Sequence, residues 1–225
     1  MSKYLTFPVA IFKNSNLDTK RVTEDILAYC LYDNCQKSGQ PFTKDLIESE
    51  TKWMGIKFPD LTAAYEKGYE LYHSLPQGSP KASVTNTVIK DFHQHPKTEF
   101  ESICFLAFAA SRSILQKQSV IKLPNRYLVA RMAGHSGISE PLPGWIEKYD
   151  NRYQLGKIKQ ELQHNWGLKL YAHHTRGSFI SFKMTLEELI MYAEGKRRKT
   201  KEKQLRKQKE EIRQRVLKSQ NTNST

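Results

Sequence analysis

The strongest constraint on this sequence is an alternation of apolar and polar residues on both sides of a turn. Apolar and polar side chains alternate from residue 168 to residue 173, and again from residue 180 to residue 184. Thr175-Arg176-Gly177 separates the two runs, and Gly177 can adopt the positive φ that a tight turn requires. A period of two is typical of half-buried strands, so we predict a β-hairpin over residues 168–184.

A helix with one apolar face is predicted immediately before this hairpin. Asp150 or Asn151 can cap its N-terminus by accepting from a free backbone N–H group. One face is apolar and holds Leu155, Ile158 and Leu162. The opposite face holds four side chains that can form hydrogen bonds, with no carboxylate among them: Tyr153, Lys157, Gln160 and His164. Gly156 lies beside that face, where we expect another group to approach the helix closely.

Residues 98–134 predict a helix, a short strand and a second helix. Thr98 and Glu101 have the spacing of a capping box at the start of an apolar helix. Residues 120–123 predict the strand. Pro124 then begins the second helix, and Gly134 has the position of a residue that follows a helix end.

Helix, strand, helix, loop, helix and hairpin is the order of elements in a winged-helix domain, and residues 98–184 resemble that family. The resemblance implies that residues 152–166 form a DNA-recognition helix and that the hairpin forms a wing with Arg176 at its tip. In the helix, the expected DNA contacts are Arg152, Tyr153, Lys157, Gln160 and His164. In the hairpin they are Lys169, His173, His174 and Arg176. The alternative for the helix is an ordinary solvated surface.

Most of the positive charge lies at the C-terminus. The net charge is +13, and residues 196–225 contain 12 Lys and Arg against 3 Asp and Glu, which leaves 24 and 20 for residues 1–195. Such a balance favours a polyanionic partner such as nucleic acid, although an anionic membrane surface would attract the same charge. We predict a basic helical tail that contacts DNA through Lys196, Arg197, Arg198 and Lys199. The alternative is a charged helix that only increases solubility, but repulsion between like charges on one helix favours a polyanionic partner.

The N-terminal half predicts an aromatic edge strand or arm over residues 4–8, followed by three helices. These helices form a helix-turn-helix-like unit without a wing. A turn-rich segment at residues 77–80 marks a boundary, and Val84, Val88, Ile89 and Phe92 then predict a connecting helix. The predicted fold is mainly α with a small β-hairpin, in the α+β class. Its divisions are a helical domain (1–76), a connector (77–97), a winged helix (98–194) and a basic tail (195–225) that is expected to be helical in part and disordered at residues 221–225.

The loop over residues 135–149 departs from a minimal helix-turn-helix, in which only a few residues join the second and third helices. We interpret it as an insertion that contacts a partner and is held down by Trp145. The alternative is that the helices on either side are wrongly assigned.

No sequence signature of an enzyme is present, so we expect no catalytic residues and no cofactor. His93 and His95 resemble the paired histidines of nicking enzymes, but Gln94 stands where those enzymes have an apolar residue. His173 and His174 have no Cys or carboxylate nearby in sequence, which argues against a metal site. Three cysteines suit a reducing compartment: Cys30, Cys35 and Cys104. With no apolar run of membrane-spanning length and no leader pattern, the expected location is the cytoplasm.

The overall architecture is also similar to that of replication initiators of bacterial plasmids and mobile elements, which bind repeated origin sites through tandem winged helices. The expected function is therefore sequence-specific binding of double-stranded DNA. The alternatives are a transcriptional regulator of the same fold, or a non-catalytic module that binds RNA or protein. The expected partner is double-stranded DNA, and the chain is expected to bind it as a monomer or as a homodimer. No interaction with a membrane is expected.

Overall fold

The computed structural model describes residues 3–40, 43–173 and 177–222. The chain is mainly helical with two small antiparallel sheets, which confirms the α+β class, although the sequence predicted only one hairpin. The strands are β1 (Tyr4–Pro8), β2 (Lys81–Thr85), β3 (Ile121–Leu123), β4 (Lys169–His173) and β5 (Gly177–Ser181). The helices are α1 (Thr19–Ser38), α2 (Lys44–Met54), α3 (Leu61–Ser74), α4 (Asn86–Gln94), α5 (Glu99–Leu115), α6 (Asn125–Met132), α7 (Gly144–Glu147), α8 (Arg152–Asn165) and α9 (Leu186–Thr222).

The first sheet joins the N-terminal segment to the middle of the chain. β1 pairs antiparallel with β2, with Leu5 opposite Val84 and Phe7 opposite Ala82. All four of these side chains are buried, because alternate residues of both strands face the core. The prediction that Val84 belongs to a helix is wrong: Val84 lies in β2, and the helix that follows begins at Asn86.

Each of the three N-terminal helices begins after a residue whose side chain caps it. The side chains of Asp18, Thr43 and Asp60 each accept hydrogen bonds from backbone N–H groups of the first turn of α1, α2 and α3. α1 packs closely against α3 at Gly68, where a Cβ atom would lie 2.2 Å from the carbonyl oxygen of Ala28. This close approach requires glycine at position 68.

The second sheet brings together strands that are far apart in sequence. β5 lies between β3 and β4, and Ile180 is opposite both Ile121 and Leu170. α5, which begins with the predicted capping box of Thr98 and Glu101, runs through the core beside α6 and α8. Hydrophobic side chains from both halves of the chain form one continuous core cluster.

The loop between α6 and α8 contains the short helix α7 and is held at several points. Ile146 is buried, and Trp145 packs against the core. Tyr149 donates to Glu99 Oε1 of α5 at 2.7 Å, and Lys148 pairs with the same carboxylate. Helices are present on both sides of the loop, as predicted, and Trp145 holds it as expected.

α9 is one continuous helix that passes through Gly195, although the composition changes abruptly at that residue. Its first turns pack on the second sheet through the buried residues Leu189 and Ala193. Tyr171 of β4 donates to Glu194 Oε1 at 2.7 Å. Residues 196–214 are all exposed, so this stretch of the basic helix makes no core contact.

Candidate nucleic-acid interface

α8 carries the exposed polar surface that the sequence predicted. Asn151 caps the helix by accepting from the backbone N–H of Gln154 at 2.9 Å. Leu155, Ile158 and Leu162 are buried, which fixes the helix against the core along one face. The opposite face is therefore held in a defined orientation towards solvent.

All five predicted contact residues of α8 are exposed or partly exposed, including Tyr153 with 68% of its surface accessible. Along the helix they are Arg152, Tyr153, Lys157, Gln160 and His164. The Lys157 ammonium group lies 4.5 Å from the centroid of the Tyr153 ring, a cation–π contact that restricts the lysine side chain. These five side chains supply two cationic groups and several hydrogen-bonding groups. The one carboxylate of α8, that of Glu161, is on a half-buried residue and accepts from Asn165 Nδ2 at 2.7 Å.

A groove of about 660 Å³ runs between α8, the start of α6 and the second sheet. Gly156 lines this groove, and a Cβ atom placed there would have no neighbour within 4 Å. The prediction that another group packs closely against Gly156 is therefore wrong: no described part of this chain does so. The backbone of α8 is open to an external partner at this position.

Lys159 is a residue of this groove that the sequence analysis missed. Its ammonium group donates to Asn125 Oδ1 at 2.6 Å, and burial lowers the pKa of Lys159. Lys159 and Arg152 are the charged residues that line the groove. Helical periodicity placed Lys159 between the polar and apolar faces of α8, and only the fold reveals its contact with α6.

The hairpin is described in part. Lys169 is exposed at the start of β4, and His173 ends that strand. The predicted contacts His174 and Arg176 lie outside the described residues, as does Thr175 between them. β4 and β5 pair antiparallel over five residues each, from Lys169 opposite Ser181 to His173 opposite Gly177, so the two strands of the predicted hairpin are present. The predicted position of the second strand is wrong: β5 begins at Gly177, which the sequence assigned to the turn, and ends at Ser181, so residues 182–184 lie outside the strand.

The predicted tail contacts lie on an exposed helical surface. Lys196, Arg197, Arg198 and Lys199 are all exposed within α9. Arg197 pairs with Glu194 at 2.8 Å, and the Lys196 ammonium group lies 4.8 Å from the Tyr192 ring centroid. These contacts fix the beginning of the basic segment.

His93 of α4 and His95, which follows the helix, do not form a metal site with other described residues. His95 is bonded to Asp91 through Nδ1 at 3.0 Å. Over residues 3–40, 43–173 and 177–222, no group of three or more His, Cys, Asp or Glu side chains is arranged to hold a metal ion.

The cysteines are buried and free, and burial raises the pKa of Cys35 to about 11 and that of Cys104 to about 12. Burial also raises the pKa of Cys30. All three thiols therefore act as small core groups.

No helix in the described part of the chain is long and apolar enough to cross a lipid bilayer. Comparisons with protein-family models, with curated proteins and with solved structures found no significant match to this sequence.

Proposed function

We propose that this chain binds double-stranded DNA sequence-specifically, with residues 98–194 acting as a winged helix and α8 as its recognition helix. The order α5, β3, α6, α7, α8, β4 and β5 contains the elements of such a domain, with the short helix α7 added in the loop between α6 and α8. In this proposal α8 enters the major groove, the hairpin lies against the adjacent backbone, and the basic part of α9 adds general affinity.

The exposed face of α8 is the observation that carries the proposal. An α-helix with its side chains is about 10–12 Å across, and the major groove of B-DNA is about 12 Å wide. Lys157 can donate to guanine, Gln160 can form two hydrogen bonds with adenine, and Arg152 can hold a backbone phosphate. Because the buried residues of α8 fix its orientation, these groups need little rearrangement before binding.

In the N-terminal half, the exposed surface of α3 is less suited to binding DNA. α3 exposes Glu66 and Glu70, which phosphates would repel, together with Tyr69 and Tyr72. Residues 1–76 also lack the excess of positive charge found in the rest of the chain. We therefore assign base recognition to α8 rather than to α3.

Two biological roles are compatible with this site. A replication initiator would recognise directly repeated sites, in line with the architectural resemblance to plasmid and mobile-element initiators. A transcriptional regulator that binds as a homodimer would recognise a palindromic site, because the symmetry of the site mirrors that of the protein. Direct repeats among the DNA sequences that the protein selects would indicate an initiator, and a palindrome would indicate a dimeric regulator.

Selection from a pool of random duplex DNA, followed by sequencing, tests the proposal. The full chain should enrich one motif, and the double variant Lys157→Ala with Gln160→Ala should lose that enrichment. Removing each side chain that reads a base is expected to reduce discrimination by about 1–3 kcal/mol.

The matched control is Lys203→Ala with Gln204→Ala, which removes the same two residue types from the exposed part of α9. This control should bind all sequences somewhat more weakly while enriching the same motif. The proposal fails if the Lys157 and Gln160 variant still enriches the motif, or if no motif emerges from the full chain. The second outcome would favour an RNA-binding or protein-binding module.

A further inference from the structure

A basic cleft of about 750 Å³ lies between β2, the C-terminal end of α5 and the segment that follows β5. Its lining includes four cationic side chains and no Asp or Glu: Lys81, Arg112, Lys117 and Lys183. No residue of α8 lines this cleft, so it is separate from the proposed DNA-recognition surface.

None of these four cations forms an ion pair with a described residue. By contrast, several other basic residues of the chain are paired, including Lys13 with Glu140 and Lys67 with Asp25. A cleft lined by one sign of charge concentrates the electrostatic field and attracts counter-ions. The cleft therefore favours an anionic ligand.

Arg112 is positioned before any ligand binds. Its guanidinium group lies 5.8 Å from the ring centroid of Tyr4 and 5.3 Å from that of Phe182. Its Nε donates to the carbonyl oxygen of Ser83 at 3.3 Å. Contacts with two rings and a backbone acceptor restrict the rotamers of the side chain, which lowers the entropy cost of binding an anion.

Two further features of the lining are unusual. The hydroxyl of Ser79 is buried and has no hydrogen-bond partner among the described residues, although buried polar groups are normally paired. Gln116 ends α5 with φ 47° and ψ −117°, a conformation that is rare for residues other than glycine. Backbone strain of this kind is often found at ligand-binding sites.

We propose that this cleft binds closely spaced phosphate groups. Each phosphate offers several acceptor oxygens, closely spaced phosphates place several negative charges within one cleft, and guanidinium and ammonium groups recognise them well. The same chemistry occurs in the polyphosphate of a free nucleotide and in the backbone of a nucleic acid strand. The proposal does not depend on base recognition by α8.

Isothermal titration calorimetry of the full chain with inorganic tripolyphosphate, at fixed ionic strength, tests the proposal. The variant Lys117→Gln with Lys183→Gln removes two exposed cations of the cleft. The control Lys20→Gln with Lys57→Gln removes the same charge from exposed positions outside it. The cleft variant should bind about tenfold or more weakly, and the control should change by less than about twofold.

A second variant, Arg112→Gln, should also weaken binding, and thermal unfolding of each variant checks that it is folded. Binding through the basic part of α9 alone would give the same isotherm for the cleft variant and the control, which would overturn the proposal.

A second arm identifies the source of the phosphates. The salt dependence of duplex DNA binding is measured for the wild type and the Lys117 and Lys183 variant. If backbone phosphates occupy the cleft, the slope of log binding constant against log salt concentration should become shallower by about 0.9 for each phosphate that the variant no longer neutralises. If tripolyphosphate binding weakens while this slope is unchanged, the ligand is a free polyphosphate. If neither quantity changes in the cleft variant, the cleft is not a phosphate site.

Discussion

Two helical glycines should respond in opposite ways to the same substitution. In Gly68→Ala the new methyl group would lie 2.2 Å from the carbonyl oxygen of Ala28 and 2.9 Å from Tyr32 Cβ. Favourable contacts between carbon atoms begin near about 3.5 Å, so α3 must move away from α1 by about 1 Å. In Gly156→Ala the methyl group meets nothing within 4 Å. Position 156 therefore isolates the intrinsic effect of alanine in a helix.

The expected free-energy changes follow from these distances. Overpacking of this kind costs about 1–3 kcal/mol, and a clash with backbone lies at the upper end of that range. Tyr32 has its ring centroid 5.2 Å from those of Tyr65 and Tyr72, and displacing α3 weakens these contacts by about 1 kcal/mol in total. Alanine regains about 1 kcal/mol of helix propensity. The net loss of unfolding free energy for Gly68→Ala is therefore about 3 kcal/mol.

Urea and thermal unfolding followed by far-ultraviolet circular dichroism measure both variants. Gly68→Ala should lower the thermal midpoint by about 6–12 °C, because about 1 kcal/mol corresponds to about 2–4 °C for a chain of this size. Gly156→Ala should raise the unfolding free energy by about 0.5–1 kcal/mol. Equal or greater stability of Gly68→Ala relative to the wild type would refute the close packing of α1 on α3.

Three other predictions concern the tail, the loop and the thiols. Residues 196–214 contain ten Lys and Arg on an exposed helix, and one face of this helix can contact DNA. Ending the chain after residue 195 should therefore reduce the slope of log binding constant against log salt concentration by about three to five. An unchanged slope would exclude the tail from the DNA interface. Hydrogen bonding from Lys148 lowers the pKa of Glu99, so its contribution is present above the ordinary glutamate pKa and is lost as the pH falls through the lowered value. The stability difference between wild type and Glu99→Gln should therefore shrink on acidification, as unfolding followed by Trp fluorescence at several pH values would reveal. Finally, the native protein should resist alkylation by iodoacetamide near neutral pH until it is unfolded, because three buried thiols have raised pKa values: Cys30, Cys35 and Cys104.

Local signals in the sequence were sufficient for most helices and for the polar face of α8. The capping box of Thr98 and Glu101 involves residues three positions apart, so spacing alone predicted the start of α5. The start of α8 was predicted at Asp150 or Asn151, and Asn151 is the cap. The period of apolar residues likewise separated the buried face of α8 from its exposed face.

Long-range contacts account for what the sequence could not predict. β2 is five residues long and pairs with a strand 77 positions away, as the bond between the hydroxyls of Thr6 and Ser83 shows. The bond from Lys159 to Asn125 spans 34 positions, and the basic cleft combines residues of three distant segments. Periodicity and capping report on neighbours within a few residues, and therefore contain no information on these contacts.

The pairing of β1 with β2 determines where the chain can be cut. A fragment that ends at residue 76 would contain β1 without its partner, and would expose backbone groups and the buried faces of Leu5 and Phe7. An unpaired strand edge of this kind recruits other chains, so such a fragment should aggregate. During synthesis the first strand must likewise wait until residue 85 has emerged before it can pair. β1 can therefore complete its pairing only after the three helices that lie between it and β2 have been synthesised.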